Sequence, residues 1–237
     1  MPALPSTRRH FFQHTSIASA GLLLPAIAFA NPQKPPSADK KKAVEDISPA
    51  EDLMREHGVL NRVLLIYDHH LHMLMAKQTF DGAVLVSAAD VIRHFVEDYH
   101  EKLEEDFLFP RFRKAGKLVN LVDTLLAQHK AGRTLTAQIR ELAGVATLKY
   151  VSDTDKLADA LHAFLRMYRP HEAREDTVLF PAVRSIVSPH EYEALGEDFE
   201  KKEDELFGDE GFFKVVDQVA ELEKKLGIYD LAQFTPK

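Results

Sequence analysis

The chain contains no cysteine. That absence excludes disulfides, thiolate metal sites, iron–sulfur clusters, covalently attached haem and cysteine nucleophiles together. Any metal this chain holds must sit on His, Asp or Glu. Glycine is scarce, ten residues in 237, while Leu, Ala, Glu, Lys and Asp are plentiful; that mix favours helix over sheet. No stretch of the body reaches the roughly 18 consecutive apolar residues that a spanning helix needs, so no permanent membrane span is expected. Positive charge is in deficit, with a net charge of −7. An acidic surface argues against nucleic acid as a partner, because such binding needs a basic face that displaces counterions. What the chain does have is enough apolar residues for a core, at 45%, and twelve histidines.

The N-terminus reads as an address. Arg8 and Arg9 give a positive start, Ile17 to Phe29 a short apolar stretch, and Ala28-Phe29-Ala30 an A-x-A cleavage signal. The string TRRHFFQ, Thr7 to Gln13, resembles the twin-arginine export motif. Residues 1–30 are therefore expected to be a twin-arginine-type signal peptide, cleaved near Ala30. The expected partner is the export machinery for folded proteins, and the expected destination is the periplasm. Residues 31–47 are expected to be a flexible linker: Asn31 to Lys42 carries three Pro and four Lys with no apolar periodicity.

From Ser48 onward, long amphipathic stretches alternate with short breaks. Ser48-Pro49-Ala50-Glu51 is a helix start, with Ser as N-cap, Pro at the first helical position and Glu at the third. A first helix is expected to run to about Lys77, a second from about Ala83 to the Pro110–Gly116 region, and a third over about Lys117 to Ala143. A fourth is expected from Thr154-Asp155 towards Val187, a fifth from Ser188-Pro189 to Gly208, and a sixth over about Phe212 to Leu226. Four long helices with short connections predict an all-α, up-down-up-down four-helix bundle over residues 48–188. Residues 189–237 form a C-terminal extension of two additional helices packed outside it.

The second and fourth helices repeat each other. His100 begins HEKLEEDFLFP and His171 begins HEAREDTVLFP, with six of eleven positions identical. His57 precedes His100 by 43 residues, and His129 precedes His171 by 42. Each half thus offers one His on its first helix and a His-x-x-x-Glu on its second. Residues four apart on an α-helix differ by about 40° around the axis, so His100 and Glu104 point one way, as do His171 and Glu175. Facing one another across a bundle, four imidazoles and two carboxylates suit a two-metal site, since carboxylates bridge and imidazoles cap. One ion-paired helix turn would explain a single copy, but not two copies with matched histidines.

These residues resemble the hemerythrin and HHE cation-binding family over about Ser48 to Ser188. The resemblance implies a hemerythrin-like bundle with an oxygen-sensitive, non-haem di-iron centre, manganese or zinc being alternatives to the two iron ions. Carried over position by position, the metal ligands are His57, His100, Glu104, His129, His171 and Glu175. In oxygen-carrying hemerythrins the last carboxylate comes five residues after its His, which here is Asp176; in HHE-type members it comes four after, which is Glu175, and the symmetry with Glu104 selects Glu175. Oxygen carriers have a second His one turn after the third-helix ligand, where this chain has Arg133. The departure implies either an open coordination position or a positive charge beside a bound anion. The expected function is that of an exported metal-binding protein that binds or senses oxygen, nitric oxide, peroxide or iron, its partner being a small diatomic or peroxide ligand. The alternative is a di-iron enzyme, a peroxidase or oxidase, using the open position.

Other polar residues are read more plainly. Asp68, His69, His70 and His72 are expected to form a polar face near a helix end rather than a second metal site. His94 and His162 should face away from the centre. Glu101 and Glu172 read as surface charge, with a supporting role beside the ligands as the alternative. Tyr168, one turn before His171, either donates a hydrogen bond near the metals or packs in the core. Pro110 and Pro181 should kink or end their helices, with Phe109 and Phe180 buried there.

Overall fold

Residues 47–144, 151–208 and 210–236 are described by the computed structural model. The expected signal peptide, and all of the expected linker but Ile47, lie outside these residues. Among the described residues every regular element is helical. Helix α1 spans Pro49–Met75. Helix α2 covers residues 82–115, and α3 is Val119–Gly144. Helix α4 covers residues 151–183, α5 is Pro189–Phe207, and α6 is Gly211–Leu226. No described helix is long and apolar enough to cross a membrane.

The starts follow the sequence signals. The Ser48 hydroxyl accepts from the Glu51 N–H at 3.3 Å with Pro49 at the first turn, and Ser188 repeats the device on Glu191 at 3.2 Å. Asp81 caps α2 by accepting from the Ala83 N–H. Gly116 and Gly227 close α2 and α6 at φ 65° and 70°, in the left-handed region where a side chain would be strained. Helix α4 begins earlier than expected, at Val151 rather than Thr154-Asp155. It also continues through Pro170.

Helices α1 to α4 form a ring in which α1 touches α2 and α4, and α3 touches the same two. Their buried residues are largely apolar: Leu60, Val63 and Tyr67 on α1, Ile92 and Phe95 on α2, Val122 and Ile139 on α3, Leu161 and Phe164 on α4. The extension packs outside, α6 against α1 and α2 and α5 against α1 and α6. Phe207 at the end of α5 meets Tyr99 edge-on at 5.4 Å, and the Arg62 guanidinium binds Glu223 of α6.

Neither Pro110 nor Pro181 ends its helix. Each follows a wide π-helical turn, Glu104–Leu108 and Glu175–Leu179, in which the Phe109 and Phe180 N–H groups donate five residues back to Glu104 and Glu175. Proline has no N–H to continue the usual pattern, so the register slips by one residue just before it. A third wide stretch, Ile92–His100, precedes the first motif. Residues five apart on an uninterrupted α-helix lie about 140° apart. The wide turn closes that angle, so that the motif glutamate and the motif phenylalanine both face inward.

Gly132 on α3 packs closely against α4. A Cβ there would lie 2.0 Å from the Tyr168 hydroxyl of α4. Gly132→Ala is expected to lower stability by about 1–3 kcal/mol through overpacking, read as a lower urea midpoint with unchanged slope. An unaffected midpoint would mean that Tyr168 does not occupy this position.

Candidate metal centre

The six predicted residues converge. His57, His100, Glu104, His129, His171 and Glu175 are all buried, with both glutamates at 0% exposure. They form two groups, His57 with His100 and Glu104, and His129 with His171 and Glu175. The carboxylates lie between the imidazole pairs. Glu104 Oε2 is 3.3 Å from His129 Nε2 while its Oε1 is 4.0 Å from His100 Nε2. Glu175 Oε2 is 3.1 Å from His171 Nε2 and 3.4 Å from His57 Nε2.

Each imidazole is held from behind by a different helix. His57 Nδ1 donates to Asp176 at 2.7 Å and His100 Nδ1 to Glu56 at 2.8 Å; Glu56 also accepts from the Tyr99 hydroxyl at 2.9 Å. His129 Nδ1 donates to Glu105 at 3.1 Å, and His171 Nδ1 to the Gln128 carbonyl at 2.9 Å. All four partners are acceptors, so Nδ1 carries a proton and each Nε2 faces inward. Phe180 stacks on His57 at 5.3 Å and Phe109 on His129 at 5.5 Å. The two halves of the bundle therefore repeat the placement of rings and supports.

These groups fit a cation. Among the described residues no hydrogen bond reaches any of the four oxygens of Glu104 and Glu175, or His129 Nε2, an arrangement that is costly unless a positive charge satisfies it. His57 and His100 bring their Nε2 atoms to 3.0 Å. Two ring nitrogens, each about 2.1 Å from one ion and at a right angle, stand about 3.0 Å apart. A set of imidazoles and carboxylates suits iron, manganese or zinc.

By the side chains alone, protons supply the missing charge. Burial and the negative charge of Glu175 push Glu104 up to about 8. Burial opposes charge on His57, yet Asp176 and Glu175 hold it up to about 10. Against burial likewise, Glu104 and Glu105 raise His129 to about 10. Burial lowers His100, the bond to Glu56 only partly offsetting it. Glu175 resists the effect of burial because His171 and His57 hold it below the ordinary carboxylate range.

Several expectations are corrected. Glu101 and Glu172 are not surface charge: they are 1% and 6% exposed. Glu101 accepts from the Tyr168 hydroxyl at 2.7 Å and pairs with Arg133 at 2.8 Å, and Glu172 accepts from Asn61 at 3.0 Å. Tyr168 therefore donates a hydrogen bond near the centre and also packs, its ring 4.3 Å from Phe164. Arg133 ties Glu101 to Glu105, which it meets at 2.7 Å. A third group of potential ligand atoms, on Glu101, Glu105 and His129, lies where that guanidinium binds. Asp176 lies behind His57 and Glu175 lies in the centre. His70 is buried, not on a polar face; its Nδ1 donates to the Ile66 carbonyl and its ring meets Phe80. His94 and His162 are exposed. The supports Glu56, Asn61, Glu105 and Gln128 were not foreseen. Their signal lay in the pairs Glu56-His57 and Gln128-His129, and in the acid that follows each motif glutamate.

A model of the Hemerythrin HHE cation binding domain matches residues 48–183 and again 120–226. The chain belongs to the hemerythrin HHE cation-binding family. It is 43% identical over 233 residues to uncharacterized proteins of Mycobacterium tuberculosis (strains H37Rv and CDC 1551) and Mycobacterium bovis, the match covering 97% of this chain and 91% of each relative. No solved structure matches the chain at a significant level. The HHE domain and its buried His and Glu groups are compatible with metal-ion binding.

The proton-held centre predicts a pH dependence. Folded-state values near 10 for His57 and His129 and near 8 for Glu104 exceed the ordinary 6.5 and 4.5. Groups raised in this way stabilise fully below their unfolded values and lose that contribution as pH rises through the folded ones. Between pH 7 and 10 the melting temperature of chelator-treated protein should therefore fall, and metal-loaded protein should fall less. Calorimetry on both forms checks this; a rise for the treated form would contradict it.

Proposed function

We propose that this protein is an exported, non-haem di-iron protein of the hemerythrin HHE type that binds or senses oxygen, nitric oxide, peroxide or iron. The observation that carries the reading is the pair of fully buried, hydrogen-bond-free carboxylates set between two pairs of inward-turned imidazoles. His57 and His100 would hold one ion and His129 and His171 the other, with Glu104 and Glu175 shared. When bound, such a centre supplies redox-active iron at which a small ligand can be held.

The rest of the chain's contribution is positional. Asp176, Glu56, Glu105 and Gln128 fix the imidazole tautomers and aim Nε2 inward. Phe109 and Phe180 cover two of the rings with apolar surface and keep water from their faces. Arg133, tied to Glu101 and Glu105, supplies a fixed positive charge on the α3 side. Delivery to the periplasm rests on the twin-arginine-like string at Thr7 to Gln13. Export in folded form would let a centre be loaded before transport.

Protein produced with iron should contain close to two iron ions per chain and show oxo-bridged ferric absorption bands. The double substitution Glu104→Ala and Glu175→Ala should lose both iron and bands while keeping its helical circular dichroism. Protein that stays metal-free after reconstitution would sink this reading. Consumption of peroxide at a catalytic rate would replace binding or sensing with the enzymatic alternative.

A further inference from the structure

The two halves of the centre match in geometry but not in charge. Behind His100 stands the carboxylate of Glu56, at 2.8 Å; behind His171, at the equivalent place, stands the neutral carboxamide of Gln128, at 2.9 Å. Four residues after His57, Asn61 binds Glu172 at 3.0 Å; four residues after His129, Arg133 binds Glu101 at 2.8 Å. The third matched pair, Asp176 behind His57 and Glu105 behind His129, is anionic in both halves. Even there the balance differs, because Glu105 is shared with Arg133 at 2.7 Å and with Lys102 at 2.6 Å.

In formal charge these departures act in one direction. The His57 and His100 side gains a negative charge where its counterpart has none, and lacks the positive charge that its counterpart carries. A carboxylate behind an imidazole makes the inward nitrogen a stronger donor than an amide does. A nearby guanidinium opposes the arrival of a cation, and in a buried setting that opposition is only weakly screened.

We propose that the two metal positions are inequivalent, and that the one at His57 and His100 fills before the one at His129 and His171. The proposal rests on the two-metal reading above and adds an order of occupancy set by Glu56, Gln128, Asn61 and Arg133. None of these four residues belongs to the inward-facing ligand set. They act through the histidines and glutamates and are positioning residues. The consequence is a centre that a scarce metal supply leaves half-loaded in one defined way.

The test uses the full chain, stripped with chelator and titrated with cobalt(II), which reports binding through its visible absorption without changing oxidation state. Wild-type protein should bind two ions in two steps whose dissociation constants differ by at least about tenfold, the scale of a single supporting partner. Two like-charged ions repel even in a symmetric site, so the steps alone do not decide the matter. The decision comes from the ligand substitutions: His100→Ala should remove the tight step, and His171→Ala should leave it. The shape-conserving substitutions then test the cause. Glu56→Gln should weaken the tight step about tenfold, Gln128→Glu should strengthen the weak step about tenfold, and each should narrow the gap.

Equal responses to His100→Ala and His171→Ala, or a gap unmoved by both Glu56→Gln and Gln128→Glu, would overturn the proposal while leaving a two-metal centre standing. Wild-type protein that binds no cobalt, or one ion only, would defeat the two-metal reading and this proposal with it.

Discussion

Two glutamate carboxylates buried side by side without a hydrogen bond set the terms for the rest of this structure. Glu104 and Glu175 are at 0% exposure, and among the described residues no hydrogen bond reaches their oxygens. An uncompensated pair of buried anions is among the costliest arrangements a fold can hold. The surrounding design answers that cost. Four imidazoles aim nitrogen at the carboxylates, four outer acceptors hold the imidazoles, and two phenylalanines cover two of the rings. The arrangement is polar in its middle layer and apolar to either side, so the bundle core provides the low-dielectric wall that strengthens each charge contact within.

The backbone is adapted to the same end. A straight α-helix cannot turn His, Glu and the following Phe all inward, because the last lies too far round. The π-turns that begin at Glu104 and Glu175 supply the missing rotation, and the prolines that follow fix where the register slips. Gly132 extends this to the neighbouring contact, since its missing side chain makes room for Tyr168 to reach Glu101. The C-terminal helices add a cover on one side, where Phe207 lies on Tyr99, the residue that donates to Glu56 behind His100.

Much of this was legible in the sequence, and for identifiable reasons. The helix starts at Ser48 and Ser188 announced themselves through cap chemistry, and the motif repeat brought the six central residues together before any coordinates. Element order and the outer position of the last two helices followed from amphipathic length and short connections. What was not legible depended on context across helices. Glu101 and Glu172 look like surface charge on their own helices, and only the approach of Tyr168, Arg133 and Asn61 buries and satisfies them. Pro110 and Pro181 look like helix ends because periodicity alone does not distinguish a stop from a one-residue slip. The supporting residues Glu56 and Gln128 lie beside the first- and third-helix histidines, outside the conspicuous motif.

The central claim is that two metal ions share the glutamates Glu104 and Glu175, each held by its own pair of histidines. Anomalous diffraction at the iron absorption edge, on crystals of iron-reconstituted protein, tests it directly. The account predicts two peaks, one within bonding distance of His57 and His100 and one within bonding distance of His129 and His171, with both glutamates reaching both peaks. A single peak, or a peak beside Glu101 and Glu105 in place of Arg133, would contradict it.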